Sequence, residues 1–228
     1  MYLEQMELEK AIVYDKWFES AWGRYAFRVE LSHIRRVIGD IARQKVLDAG
    51  CGTGRFAGAL ARYGAIVTCL DIDKAMLEVA KQNVRAEFVL GDIMSLPFAS
   101  GSFDVTLCIA SLEFVAEVAL AVKELVRVTK DGGKVIVGTL NIDSPWGFFH
   151  TGRFRRIESW KGARFLGLQE IEALLSPHGI LETSYSLYAP FYFPLLQYVG
   201  PVIENVGRAI FRSHGAFRLS FLKLDKIK

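Results

Sequence analysis

Val46-Leu47-Asp48-Ala49-Gly50-Cys51-Gly52-Thr53-Gly54-Arg55-Phe56 decides how the rest of the chain is read. Val46 and Leu47 make the short apolar run of a buried strand, and Phe56, Ala57, Leu60 and Ala61 share one helical face just after it. Between them three glycines stand at every second position. With no Cβ, the backbone can turn sharply there and press against a bound molecule. The turn would also aim the free N–H groups of a helix start at that molecule. Without a ligand, the same residues make a plain tight strand-to-helix turn. A dinucleotide fingerprint would place its third glycine where Arg55 stands; here Gly54 comes one residue early. Val67-Thr68-Cys69-Leu70-Asp71 is a second apolar run ending in a carboxylate, 21 positions after Gly50. An acid at that strand end can accept hydrogen bonds from both ribose hydroxyls of an adenosine cofactor.

Outward from this stretch, strand and helix alternate. Strand-like runs cover 45–49, 66–71, 86–90, 103–109 and 134–140, with helical segments at 54–63, 74–84 and 113–129. In the last helix Val115, Val118, Val122, Leu125 and Val126 make the apolar side, and Gly132-Gly133 is expected to cap it. Alternation of this kind predicts a parallel sheet with helices on both faces, binding ligands at the carboxyl ends of its strands. Upstream, residues 1 to about 43 are helical in pattern, with Leu31, Ile34, Ile38 and Ile41 as a buried stripe. Downstream, 141–163 reads as an insertion lying over the site, Leu168, Ile171, Leu174 and Leu175 mark another helix, and 180–188 and 215–224 alternate as two final strands. A long apolar connection runs from 189 to 214 between them.

The ordered motifs resemble those of class I S-adenosylmethionine-dependent methyltransferases, most closely the small-molecule group with the ubiquinone and menaquinone C-methyltransferases. The resemblance rests on VLDAGCGTG, on LDID followed by Met76-Leu77, on Gly91-Asp92-Ile93 with Leu96-Pro97-Phe98, on Ser102-Phe103-Asp104, and on Lys130-Asp131-Gly132-Gly133. It runs from about Tyr14 to Leu140. It implies an α/β, Rossmann-like three-layer sandwich: a mostly parallel seven-stranded sheet with an antiparallel last strand, plus N-terminal helices and a cap insertion. One domain over 1–228 is expected, with 1–43 as helical cover, 44–140 as cofactor-binding core and 141–228 as cap, final helix and strands.

The same resemblance implies the cofactor S-adenosyl-L-methionine, with S-adenosyl-L-homocysteine as product, and assigns roles. Gly50, Cys51, Gly52 and Gly54 approach the methionyl part, and Asp48 engages its ammonium. Asp71 takes the ribose diol with Ile72 beside it. Asp92 and the Ile93 N–H meet the adenine, the Ala110 carbonyl holds the ammonium, and Tyr14 and Trp17 cover the methionine end. For Tyr14 and Trp17, core packing of helix on sheet is an equal alternative. A base is needed only where the acceptor must lose a proton; Glu113, His150 and Tyr14 are the candidates. Glu113 reads equally as a helix-start carboxylate, and His150 as a surface histidine.

Composition narrows the field further. The formal net charge of +3 is too mild to imply a nucleic-acid partner or a membrane surface. After the fourth strand Ile109-Ala110-Ser111-Leu112 lacks the polar-Pro-Pro-aromatic segment of base amino-methylating enzymes, and the run from Arg153 to Lys161 reads as a solvated basic loop. Cys51, Cys69 and Cys108 sit in or beside apolar strands without metal spacing, and His33, His150, His178 and His214 are too scattered for a local metal site. Neither a leader nor a membrane span is visible, so a cytoplasmic location is expected. The reading is methyl transfer to a small, partly apolar acceptor. A non-catalytic cofactor-binding regulatory module is the alternative, and an NAD-dependent oxidoreductase would use only the first two motifs.

Overall fold

A computed structural model describes residues 2–144, 162–189 and 194–225. Its elements are α1 (Tyr2–Trp17), α2 (Ala21–Ile38), β1 (Lys45–Ala49), α3 (Arg55–Arg62), β2 (Ile66–Asp71), α4 (Lys74–Asn83), β3 (Glu87–Leu90), β4 (Phe103–Ile109), α5 (Val118–Val128), β5 (Thr129–Leu140), α6 (Leu168–Leu175), β6 (Gly179–Ser186), α7 (Leu196–Ile210) and β7 (Phe217–Leu224). One seven-stranded sheet runs in the order β3-β2-β1-β4-β5-β7-β6. Strands β1 to β5 pair parallel, while β7 pairs antiparallel with both β5 and β6. The α/β class and the antiparallel last strand follow the sequence reading. That β7 threads between β5 and β6 is visible only in the pairing.

Strand residues alternate between two cores. Val46, Val105, Leu107, Ile136, Phe217 and Leu219 face the helices on one side, with Ile34, Ile38 and Leu60. Leu47, Cys108, Val135, Val137 and Leu222 face the other, with Val122, Leu125 and Ile171. Both faces of the central strands are apolar, as a covered parallel sheet requires. The sheet reverses its winding between β1 and β4, and in open sheets of this kind ligands bind at the carboxyl ends of the strands at such a point.

Three readings are corrected. The helix expected over 113–129 is two elements: a single 3-10 turn at Leu112–Phe114, then α5 from Val118. Gly132-Gly133 does not cap α5, which stops at Val128 with Thr129 already extended. Instead Gly132, at φ 72°, bends the first part of a longer β5, and the β4–β5 register shifts there from Phe103↔Thr129 to Val105↔Lys134. The apolar connection 189–214 contains helix α7, with Pro201 inside it. Its small residues let it approach closely: a Cβ on Gly200 would lie 2.6 Å from Tyr25, and one on Gly207 2.2 Å from Tyr188. That packing outweighs the hydrogen bond that a proline withholds.

Candidate active site

The glycine bend after β1 is fixed by strand β2. The N–H groups of Gly50 and Cys51 both donate to the Leu70 carbonyl, at 2.7 and 3.0 Å, and Gly54 donates to Cys51 O at 2.9 Å. Gly52 donates to Asp71 Oδ2 at 2.7 Å. These four N–H groups are therefore held within the protein and not offered to a ligand. What it presents is bare backbone and carboxylates.

The three glycines differ in purpose. At Gly50, with φ 75°, a Cβ would fall 2.5 Å from Ser111 Oγ, and Ser111 Oγ donates to Gly50 O at 2.8 Å. That contact ties the turn after β4 to the bend after β1. Gly54 packs on α4, where a Cβ would meet Ala80 and Val84 at 3.1 Å. Gly52, at φ 53°, has only Tyr14 Cε1 near its Cβ position, at 3.8 Å. It is the glycine on the open side of the bend, and Tyr14 is the wall opposite.

Besides Asp15, its neighbour in the chain, three carboxylates act on Tyr14. Asp48, at the end of β1, is 2% exposed and its Oδ2 has no hydrogen-bond partner. Burial first, and then the charge of Asp71, push its carboxyl up to about 7, with the Ala57 N–H pulling the other way. Asp71 is also raised, mainly by burial. Its oxygens accept the backbone N–H groups of Gly52 and Asp73 (2.9 Å), and the Ile72 N–H also draws its carboxyl down. Glu30 on α2 is the third; burial pushes it up to about 8. The Tyr14 phenol is raised by burial and then by Glu30, Asp71, Asp15 and Asp48, so it stays a protonated donor.

Helix α1 brings Tyr14 here through Asp15. Arg55 Nε donates to Asp15 Oδ1 at 2.7 Å, and its Nη2 donates to Oδ2. Asn83 Nδ2 donates to Asp15 Oδ1 at 3.1 Å and to Thr53 O at 2.8 Å. Trp17 is 40% exposed and packs edge-on against Phe18, which in turn meets Tyr14 edge-on. Ile72, beside Asp71, is 70% exposed, and Ile93 is buried. Asp92 Oδ1 accepts from Met94 N at 2.8 Å. The loop beyond is clamped by Arg127, which donates to Leu96 O at 3.0 Å and Phe98 O at 2.8 Å. Ala110, in the left-handed region at φ 51°, donates its N–H to Gly138 O at 2.8 Å.

Glu113 stands in the 3-10 turn Leu112–Phe114 that follows β4, five residues before the first residue of α5. It is 1% exposed; Oε1 accepts from Leu140 N at 3.0 Å and Oε2 has no partner. Burial pushes it up to about 7, against the Leu140 and its own N–H and against the positive charge of Arg218. His150 and the basic run from Arg153 to Lys161 lie outside the described residues. The Cys51 thiol, raised by its hydrogen bond to Cys69 and by burial, is no nucleophile. Sequence reasoning missed Glu30, Ser111 and Asp15. Only Glu30 had a local signal, a carboxylate at helical spacing from buried Ala26 and Ile34.

These features define a Rossmann-like methyltransferase fold with its adenosine-type site at the sheet's switch point. A family model described as "Methyltransferase domain" matches residues 47–137. The malonyl-[acyl-carrier protein] O-methyltransferase of Buchnera aphidicola subsp. Baizongia pistaciae is 34% identical over 163 residues, 67% of this chain and 65% of that one. An uncharacterized protein of Methanocaldococcus jannaschii is 31% identical over 73% of this chain and 76% of its own length. Among solved structures, an S-adenosylmethionine-dependent methyltransferase of Thermotoga maritima, titled as a possible histamine N-methyltransferase, superposes with a TM-score of 0.75 at 23% identity, covering 95% of this chain and 96% of that one. The chain carries a methyltransferase domain over residues 47–137 and has the fold of S-adenosylmethionine-dependent methyltransferases. It spans 37%, 65% and 41% of the length of the first three malonyl-[acyl-carrier protein] O-methyltransferases it matches.

Proposed function

We propose that this protein transfers the methyl group of S-adenosyl-L-methionine to a small, partly apolar acceptor in the cytoplasm, releasing S-adenosyl-L-homocysteine. The observation that carries the reading is the unpartnered Asp48 Oδ2 beside a glycine bend roofed by Tyr14. A buried acceptor without a donor is what a ligand's ammonium satisfies. The cofactor's sulfonium makes its methyl group electrophilic without further activation.

The chain's own residues bind, orient and exclude water. Asp48 holds the amino-acid end against the bare Gly52 backbone, with the Ala110 carbonyl beyond it. Asp71 offers its carboxylate to the ribose diol, exposed Ile72 and buried Ile93 flank the adenine, and Asp92 takes its amino group. Tyr14 closes the bend from above and keeps solvent from the reacting centre. Where the acceptor must lose a proton, Glu113 is the base we favour, because its second oxygen is free and its affinity for a proton lies near neutrality. Three relatives are named malonyl-[acyl-carrier protein] O-methyltransferases, so an oxygen acceptor is the first class to try. No described helix is long and apolar enough to cross a membrane.

Calorimetric titration with S-adenosyl-L-methionine and with NAD tests the cofactor; saturable binding of NAD alone would overturn the reading. Incubation with methyl-labelled cofactor and a metabolite extract tests turnover. Tight binding with no labelled product would favour a regulatory module instead.

A further inference from the structure

A second cavity, of about 460 Å³, opens at the far edge of the sheet between α2, β6 and the end of α7. It is four strand steps from β1, about 19 Å at ordinary strand spacing, and so is separate from the cofactor bend. Three cations line it: Arg36 from the last turn of α2, and Arg208 and Arg212 from the end of α7. Among the described residues none of the three has a carboxylate within ion-pair distance. Arg208 donates to Asn205 Oδ1 at 2.6 Å. Glu182 lines the rim but is exposed. Glu204, one turn before Arg208, is occupied by the Tyr25 hydroxyl and the N–H groups of Leu187 and Tyr188.

Hydroxyls line the wall opposite. His33, 3% exposed, has Nδ1 3.0 Å from Ser186 Oγ and Nε2 2.7 Å from Ser184 Oγ. Burial and the charges of Arg36 and Arg208 hold its ring well below the usual range, at about 4, so the ring is neutral and one of its nitrogens accepts. Arg36, exposed at the cavity, is held below the usual guanidinium range by partial desolvation and then by the like charge of Arg208, with Glu204 offsetting part of it. An anion between them would relieve that repulsion.

We infer that this cavity binds a phosphate monoester, its oxygens taken by Arg36, Arg208 and Arg212 and by the hydroxyl of Ser184. Forked donors from three directions suit the several oxygens of a phosphate better than the single plane of a carboxylate. The volume exceeds that of the phosphate alone and leaves room for an organic group against Val37 and Tyr188. That group belongs to a soluble metabolite or to a lipid. Val202, Val206 and Ile210 are 61%, 45% and 68% exposed on α7 nearby, which gives the lipid source a surface to rest on.

Two binding measurements test the site: calorimetric titration with glycerol 3-phosphate, and co-sedimentation with phosphatidylcholine vesicles with and without phosphatidic acid. Saturable binding in at least one is expected. Arg36→Ala should weaken it about tenfold and Arg36→Ala/Arg212→Ala about a hundredfold, the loss of one charge-assisted hydrogen bond at each step. Both side chains are exposed, and an unchanged thermal midpoint verifies that the variants fold. Binding of glycerol 3-phosphate identifies a soluble source, and binding only to phosphatidic-acid vesicles a lipid one; either upholds the site. No binding in either experiment, or binding that the double variant retains in full, overturns it. The result is independent of whether S-adenosyl-L-methionine binds.

Discussion

Asp15 and Arg55 meet as a two-pronged ion pair, 40 residues apart in sequence, with Arg55 Nε 2.7 Å from Asp15 Oδ1. Arg55 is the first residue of α3, directly after the glycine bend, and Asp15 is next to Tyr14. The pair therefore fixes the roof of the cofactor site to its floor. Asn83 adds α4 to the same junction.

Releasing that pair should loosen the roof more than the fold. Asp15→Ala is expected to weaken S-adenosyl-L-methionine binding about tenfold, because Tyr14 loses its fixed place over Gly52. The stability cost should be smaller, about 1 kcal/mol, since the partners are only partly buried. Calorimetry and urea unfolding on the same sample check both. Equal affinity in variant and parent would show that α1 is not part of the site.

The two glycines at the crown of the bend should separate folding from binding. Gly50→Ala drives a Cβ to 2.5 Å from Ser111 Oγ at a left-handed φ, and should cost about 2–4 kcal/mol of stability. Gly52→Ala meets no atom closer than 3.8 Å and should cost only about 1 kcal/mol from its backbone angle. Its added methyl stands where the ligand approaches, so binding should suffer more than folding. Thermal melts with and without S-adenosyl-L-methionine distinguish the two: the ligand should raise the midpoint of Gly52→Ala far less than that of the parent.

Asp71 carries two loads. Asp71→Asn keeps one oxygen for a backbone N–H and loses the charge, whereas Asp71→Ala frees both Gly52 and Asp73 N–H groups. Affinity should fall about tenfold in the first and about a hundredfold or more in the second, each buried donor left open adding its own cost. Titration calorimetry reads both. Equal losses would mean that only the charge matters.

Glu113 makes stability depend on pH in a defined direction. Its carboxyl is raised in the folded state from 4.5 to about 7. Between those values the folded protein keeps a proton that the unfolded chain has released, so stability falls as pH rises through the window. The penalty, on the order of 3 kcal/mol at most, is complete above about pH 7. Glu113→Gln removes it while retaining an acceptor for Leu140 N–H. Urea unfolding should show the variant gaining on the parent at pH 8 and matching it at pH 5. Asp48 and Glu30 act in the same direction in both proteins and leave a residual slope. A gap that does not change with pH would mean that Glu113 is ionised throughout.

By itself the sequence determined the class of fold, the cofactor bend, and Asp48, Asp71 and Asp92 at strand ends. Those signals are local: apolar runs of strand length, helical spacing and a glycine turn act within a few residues of chain. It misjudged Gly132-Gly133 and the helix around Pro201, where local breakers were overruled by register and by close packing on Tyr25 and Tyr188. Only the tertiary structure decided that β7 lies between β5 and β6, that Asp15 clasps Arg55, that Glu30 joins the site and that three arginines converge at the sheet's edge. Each of these joins residues far apart in the chain. Hydrogen bonds, charges and contacts act over a few ångströms of space, and no residue's neighbours in sequence record which distant partner folding will bring within that reach.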